Sequence, residues 1–450
     1  MKWFFSFFKN LGFESEGLKK YFANTSWLLF DRVLRLIFAF ITTILIVRYL
    51  GPEQFGILSY AISIVSLISI LAYAGLENII TRELVKTPEK TNELLGTGFI
   101  LRLCGSIMII LLLILFGVVS SETRLNFLMI LIIGGSTLFQ PFAVIDFFFQ
   151  SKVQAKYSVI VQSSSFFALT VARILCIILD APLIIFAILL SIETIATAIG
   201  FVIVYSTHGR NILKWKFNKT IAREFIRDAW PLVLSGLAVS TFAKIDQVLL
   251  KFLVNAESVG FYSAAVRIVE AWYFIPMAVT TSIFPALLNA RKHNYKEYID
   301  RLKKLYDLMS FISIFIALAV SLLSDFIIQV FYGNSFSNSS AVLAIYIWSG
   351  VATFLGVASN QFLIAENLTK LSLYRSVFGM IANILLNYLL IPKFGIIGAA
   401  WATFISYFLS TFFLVMFKES RHQAFIMFRS MFLLDTFSFL VTRFFKIKNN

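Results

Sequence analysis

The sequence predicts an all-α integral membrane protein with twelve transmembrane helices arranged as two six-helix lobes. Three observations carry this. The 450 residues are 59% hydrophobic and only 14% charged, against an apolar share of roughly 45–50% in soluble domains. Apolar stretches of about 20 residues, the length that crosses about 30 Å of hydrocarbon as a helix, recur from residue 24 to residue 417. Basic residues crowd every second connection between them.

The predicted spans are 24–50, 55–78, 94–118, 125–149, 157–179, 182–206, 230–254, 260–289, 305–332, 341–365, 371–391 and 395–417. One set of connections carries Lys19 and Lys20, Arg82, Lys86 and Lys90, Lys152 and Lys156, a basic run from Arg210 to Arg227, and Arg291 to Lys304. The other set offers little beyond Arg124 and Lys393. The positive-inside rule makes the first set cytoplasmic, so both termini are expected inside. The same asymmetry accounts for much of the net charge of +15 without a nucleic-acid partner.

The expected organisation is therefore a cytoplasmic segment 1–23, a first lobe 24–206, a basic linker 207–229, a second lobe 230–417 and a tail 418–450. The N-terminus lacks a long apolar core with a small-residue cleavage site, and Glu14 and Glu16 oppose a signal peptide. A crossing by the tail would put Arg443, Lys446 and Lys448 outside, so an interfacial helix is expected there. Cys104 and Cys176 fall in separate spans and the three histidines lie far apart, which predicts buried, unbridged thiols and no metal or other cofactor.

The two halves are related. "VRYLGPEQFGILSYA" (47–61) parallels "LKFLVNAESVGFYSAA" (250–265), matching Arg48 with Lys251, Gly56 with Gly260 and Ser59 with Ser263. Six spans bring the chain back to the side it started from, so this is a parallel repeat. Such repeats build two-lobed transporters with a substrate site between lobes near the bilayer midplane.

Charges inside the spans mark the candidate site, because each costs roughly 2.5–3.5 kcal/mol at a helix centre. In "LLFDRVLRLIF" (28–38), Asp31, Arg32 and Arg35 project onto one face together with Thr42 and Thr43, opposite Ile37, Ile41 and Ile44. Two readings stand. Asp31 and Arg35, at i and i+4, form a structural pair that leaves Arg32, or both arginines face the cavity. The seventh span repeats the device with Ser240, Lys244, Gln247 and Lys251 on one stripe and Asp246 off it. The outer positions of Lys251 and Arg48 also suit snorkelling to the interface. The remaining buried ionisables are Arg102, Asp146, Arg173, Glu193, Arg267 and Glu270. Arg32, Arg35, Lys244, Arg102, Arg267, Arg173 and Lys251 are the expected substrate-binding cations, suited to phosphate. Asp31, Glu193, Asp246, Glu270 and Asp146 are expected to balance charge or couple an ion. Ser59, Ser63, Ser66 and Tyr73 share a face of the second span, lining the cavity or letting helices approach.

"VRYLGPEQFGILSYA", "RLKKLYDLMSFISIF" (301–315) and "LLNYLLIPKFGIIGAAWATFISY" (385–407), in this order and spacing, make the chain resemble the polysaccharide-biosynthesis flippases, the O-antigen (Wzx-type) branch of the multidrug/oligosaccharidyl-lipid/polysaccharide exporter superfamily. The resemblance implies a fold similar to multidrug and toxic compound extruders. It also implies translocation of undecaprenyl-pyrophosphate-linked sugar repeat units across a bacterial inner membrane by alternating access, through a cationic cavity matched here by Arg32, Arg35 and Lys244. It implies a monomer among membrane lipids, working beside a polysaccharide polymerase and glycosyltransferases, driven by a proton or sodium gradient that no residue distinguishes. A drug exporter better suits an acidic cavity, and a lipid-II flippase would be expected to carry two further spans. An integral-membrane polymerase or ligase usually needs a long outer loop, and every predicted outer loop is short. No nucleophile–base constellation is apparent, so no enzyme is expected.

Overall fold

The structure is a computed structural model. It describes residues 16–73, 75–120 and 122–432, with side chains from Asp31 onward except that of Arg32. The basic end of the tail, with Arg443, Lys446 and Lys448, and the side chain of Arg32 therefore lie outside the described residues. Among those described, every element is helical.

The first helix, α1 (Glu16–Tyr73), runs for 58 residues. Straight, it would measure about 87 Å at 1.5 Å per residue, nearly three hydrocarbon cores. It is broken at Gly51, whose φ of 69° and ψ of 176° leave helical space. Glycine adopts that conformation at little cost, and Pro52 opens the next segment with its φ already set. The chain continues through α2 (Leu76–Lys86), α3 (Thr91–Val119), α4 (Arg124–Gly135), α5 (Val144–Ser151), α6 (Ala155–Ile178) and α7 (Leu183–Thr207). A 3₁₀ stretch, Ser136–Ala143 with Pro141 inside, joins α4 to α5 within one span. The second half holds α8 (Lys219–Leu253), α9 (Ala256–Glu270), α10 (Phe274–His293), α11 (Tyr295–Leu322), α12 (Ser324–Tyr332), α13 (Ser339–Tyr346), α14 (Ser349–Ala365), α15 (Thr369–Phe412) and α16 (Lys418–Met431).

Among the described residues, ten helical stretches are long and apolar enough to cross a membrane. The first and last are each bent at a glycine, which makes twelve crossings. In α15 the break is Gly395, at φ 56°. The chain folds back there, since a Cβ on Gly398 would lie 2.3 Å from the Leu390 carbonyl oxygen. The expected continuous ninth span 305–332 is instead two helices. α11 starts ten residues earlier, where Asn294 Oδ1 accepts from the Lys296 and Glu297 amides. It ends before Leu323, and α12 restarts on an N-terminal turn carrying Asp325, which favours the positive helix end.

The chain clusters into two compact units, 1–46 with 65–236, and 47–64 with 237–450. This differs from the expected division at 206 and 230 in two respects, each with a local cause. The linker is strapped to the first unit: Lys216 N donates to Asn92 O at 3.1 Å, Asn218 Nδ2 to Glu93 Oε2 at 2.7 Å, and Trp215 Nε1 to Tyr205 Oη at 3.3 Å. Residues 47–64 belong to the second unit because the two repeat-related turns pack on each other there. A Cβ on Gly56 would sit 1.8 Å from Ala256 O, and one on Gly260 would sit 1.9 Å from Pro52 O. Gly56 pairs with Gly260 in the repeat, and Pro52 with Ala256 at the same offset. The contact is reciprocal, as a two-fold relation requires. Gly56→Val or Gly260→Val is expected to lower the thermal unfolding midpoint of the purified protein, because backbone must move to admit the side chain, whereas Ser263→Ala is expected to leave it nearly unchanged.

The tail helix α16 packs against the second unit along one face. It buries Ser420, Gln423, Ala424, Met427 and Ser430 along one stripe, with Gln423 Nε2 donating to Tyr306 Oη at 2.5 Å and Ser359 Oγ at 2.9 Å. Cys104 is exposed and Cys176 half-buried, so the expectation of two buried thiols fails; the α3 face bearing Cys104 also carries exposed Ile100, Ile107 and Leu111.

Candidate functional site

In the first unit the charges of α1 form a relay. Asp31 is buried, and its Oδ2 lies 2.5 Å from Arg35 Nη2. Ser163 Oγ donates to Asp31 Oδ1. Arg35 Nη1 donates to Gln162 Oε1 at 3.1 Å, and Gln162 Nε2 donates to Asp146 Oδ2 at 3.2 Å. One turn of helix separation brings Asp31 and Arg35 together, and α6 supplies Ser163 and Gln162 side by side. Of the two readings of this segment, the ion pair is the one the structure adopts. Arg35 remains 30% exposed while pairing with Asp31 and reaching Asp146 through the Gln162 amide, so it is held in one orientation with part of its guanidinium open.

Deeper in the same unit Arg173 pairs with Glu193, joining α6 to α7. Arg102, on α3, has no such ion pair among the described residues. Its Cζ stands 4.7 Å from the Tyr73 ring centre and 5.2 Å from that of Phe147. Tyr73 is fixed in turn by Ser106 Oγ at 2.5 Å and by donation to Thr137 O at 2.8 Å. Arg102 and Glu193 line a cavity of about 410 Å³ with Phe139, Gln140, Thr194 and Thr197.

In the second unit Glu270 is shared. Its Oε1 lies 3.4 Å from Lys244 Nζ and its Oε2 3.7 Å from Arg267 Nη1. α8 supplies the lysine and the last turn of α9 the other two. Two cations on one carboxylate leave an unmatched positive charge. Gln247 belongs elsewhere, since it is buried and accepts from Ser63 Oγ at 2.6 Å. Lys251 is half-buried, two residues from the C-terminal end of α8.

Asp246, one residue before Gln247, is 2% exposed and has no cationic partner among the described residues. Its Oδ2 accepts from Tyr262 Oη at 2.5 Å and Thr403 Oγ1 at 2.6 Å, and its Oδ1 from Asn387 Nδ2 at 2.6 Å. Asn387 also donates to Asn383 O at 2.9 Å, and Asn383 Nδ2 to Ser406 Oγ at 3.2 Å. The amide oxygens of Asn383 and Asn387 are buried with no hydrogen-bond donor. A carboxylate and two orphan amide oxygens in one apolar bundle are the hard donors that a proton or an alkali cation takes.

Sequence reasoning placed Asp246 but missed its surroundings, and it missed Arg375 altogether. Arg375 is buried on α15, with Nη2 donating to Asn360 Oδ1 at 2.9 Å and Nη1 to Ser359 Oγ at 3.4 Å. The signals were present: an arginine inside the apolar run 371–391, and Asn383 with Asn387 four residues apart on one helix face.

Comparison with known proteins identifies the family and the fold. The polysaccharide biosynthesis protein family matches residues 21–291, well over half of the chain, and the MatE family matches residues 231–389. A protein of Haloferax volcanii named as a probable low-salt glycan biosynthesis flippase, Agl15, is 23% identical over 379 residues, covering 81% of this chain and 76% of its own. Among solved structures, a multidrug resistance MATE family transporter in an inward-facing conformation superposes with a TM-score of 0.72 at 14% identity, covering 88% of this chain and 96% of the other. The lipid II flippase MurJ, in an inward closed conformation, superposes with a TM-score of 0.65 at 18% identity, covering 93% of each. The fold is thus that of the MATE-like exporters, and the chain is a multi-pass integral membrane protein belonging to the polysaccharide biosynthesis protein family.

Proposed function

We propose that this protein is a lipid-linked oligosaccharide flippase. It moves undecaprenyl-pyrophosphate-linked sugar units from the cytoplasmic to the outer leaflet of a bacterial inner membrane by alternating access, with both termini cytoplasmic. The observation that carries the reading is the unmatched positive charge inside the spans: Lys244 and Arg267 share Glu270, and Arg102 has no carboxylate partner among the described residues. A pyrophosphate is the part of such a substrate that hydrocarbon excludes most strongly, and cations in a low-dielectric setting attract it. Membership of the polysaccharide biosynthesis family and a relative named as a glycan flippase support the same reading. A drug exporter for organic cations would be opposed by these charges.

Asp246 is the proposed coupling site for a proton or sodium ion, since its carboxylate is buried without a counter-charge and faces donors that can rotate away. Asp31, Asp146, Glu193 and Glu270 act as charge balance, each paired or bridged. Arg32, Arg173 and Lys251 are secondary candidates for the phosphate path. The protein acts as a monomer beside a polysaccharide polymerase and glycosyltransferases.

Deleting the gene tests the reading in cells. Lipid-linked sugar units should accumulate in the cytoplasmic leaflet while surface polysaccharide is lost. Unchanged surface polysaccharide with heightened sensitivity to cationic drugs would replace it with the exporter reading.

A further inference from the structure

An open cavity of the first unit is lined by α3, α7 and the 3₁₀ stretch 136–143, and it presents one cation, Arg102, that touches no carboxylate among the described residues. Arg102 is 6% exposed, its Nε has no hydrogen-bond acceptor, and no carboxylate lies in ion-pair range among the described residues. The two aromatic rings against its guanidinium return about 0.5–2 kcal/mol. Burying an unpaired charge costs several kcal/mol more than that. Glu193, the only other charged lining residue, is already taken by Arg173. Glu77 attracts the Arg102 guanidinium without forming an ion pair with it, so the site lacks an anion in contact.

A lone inorganic ion does not explain the rest of the lining. About 410 Å³ lies within the range of small-molecule pockets, roughly 300–1,000 Å³. Thr194 and Thr197 turn their hydroxyls to the Leu190 and Glu193 carbonyls, which leaves their oxygen lone pairs to accept from a ligand hydroxyl. Gln140 adds an amide, and Phe139 and Phe201 supply flat apolar walls of the kind that pack on the CH face of a pyranose.

We propose that this cavity is a subsite for an oxyanion-bearing sugar, in which Arg102 pairs with the oxyanion and Gln140, Thr194 and Thr197 meet the ring hydroxyls. The proposal rests on the flippase reading and names which part of the cargo the first unit selects: a sugar carrying a carboxylate, or the sugar joined to the phosphate.

The test uses the full chain purified into lipid nanodiscs, with Cys104→Ser and Cys176→Ser removing the native thiols and Ala143→Cys placing a single reporter in the cavity lining. The rate of maleimide labelling is measured with methyl glucuronide, glucose 1-phosphate or methyl glucoside present. Either charged sugar should slow labelling several-fold while methyl glucoside does not; the glucuronide assigns a sugar carboxylate and the phosphate ester assigns the phosphate linkage. Arg102→Gln should abolish the protection and Arg102→Lys should keep part of it, with unfolding midpoints confirming that both fold. Equal protection by methyl glucoside, protection surviving Arg102→Gln, or no protection by any sugar overturns the proposal. Labelling involves no translocation. A protein that flips lipid-linked sugars without protection at residue 143 sinks the subsite alone, whereas protection without flipping sinks the flippase reading alone.

Discussion

Asp246→Asn is expected to leave a folded protein that no longer couples transport to an ion gradient. The substitution keeps the side chain's shape in a site that is 2% exposed. Asn387 can still donate to the retained oxygen, and the hydroxyls of Tyr262 and Thr403 can rotate to accept from the new amide. Thr403 can turn to Ala399 O at 3.0 Å, so no buried hydroxyl is stranded. What disappears is the buried negative charge beside the orphan oxygens of Asn383 and Asn387 that would attract a cation to them. Gradient-driven transport should fall at least about tenfold, the equivalent of 1.4 kcal/mol of lost coupling. Asp246→Ala should show the same transport defect with an added loss of stability, since Tyr262 and Asn387 lose an acceptor at about 1–3 kcal/mol each. Measuring transport in proteoliposomes with a proton gradient alone and a sodium gradient alone identifies the ion. Transport by Asp246→Asn that still responds to either gradient would remove Asp246 from the coupling role.

Lys244→Ala and Arg35→Ala should both stop translocation, but for different physical reasons. Glu270 keeps Arg267 when Lys244 is truncated, so no carboxylate is left without a partner. Folding and membrane abundance should remain near wild type while transport falls at least about tenfold. Arg35 is different, because its removal leaves Asp31, 5% exposed, with Ser163 as its one donor among the described residues. Breaking a buried pair from one side costs about 3–5 kcal/mol. Arg35→Ala should therefore lower protein abundance as well, and Asp31→Asn combined with Arg35→Gln should restore abundance without restoring transport. Abundance by immunoblot and transport per molecule separate the two effects.

Much of the architecture was legible because bilayer thickness, loop charge and glycine are strong local signals. Gly51 and Gly395 take the positive φ that ends a crossing, and the "GPEQFG" and "NAESVG" turns announced a repeat that the structure realises as the reciprocal contact of Gly56 and Gly260. The Asp31–Arg35 pair was readable too, as an i, i+4 spacing on one helix. What sequence could not show is partnership over long separations. Asp246 meets Asn387 and Thr403, 141 and 157 residues away, and nothing local distinguishes those side chains from the polar residues that merely bond their own helix. Arg375 escaped notice for the same reason, being satisfied by Asn360 and Ser359 from α14 rather than by an acid. The break at Leu323 has no glycine or proline to mark it.

The most direct measurement is unidirectional movement of a fluorescently tagged undecaprenyl-pyrophosphate oligosaccharide in proteoliposomes containing the purified protein, followed by quenching from outside. Wild-type protein should move the lipid-linked sugar, Lys244→Ala should not, and an equally apolar undecaprenol without phosphate should be ignored by both. Equal movement by wild type and Lys244→Ala, or transport of an organic cation in place of the pyrophosphate lipid, would contradict the account.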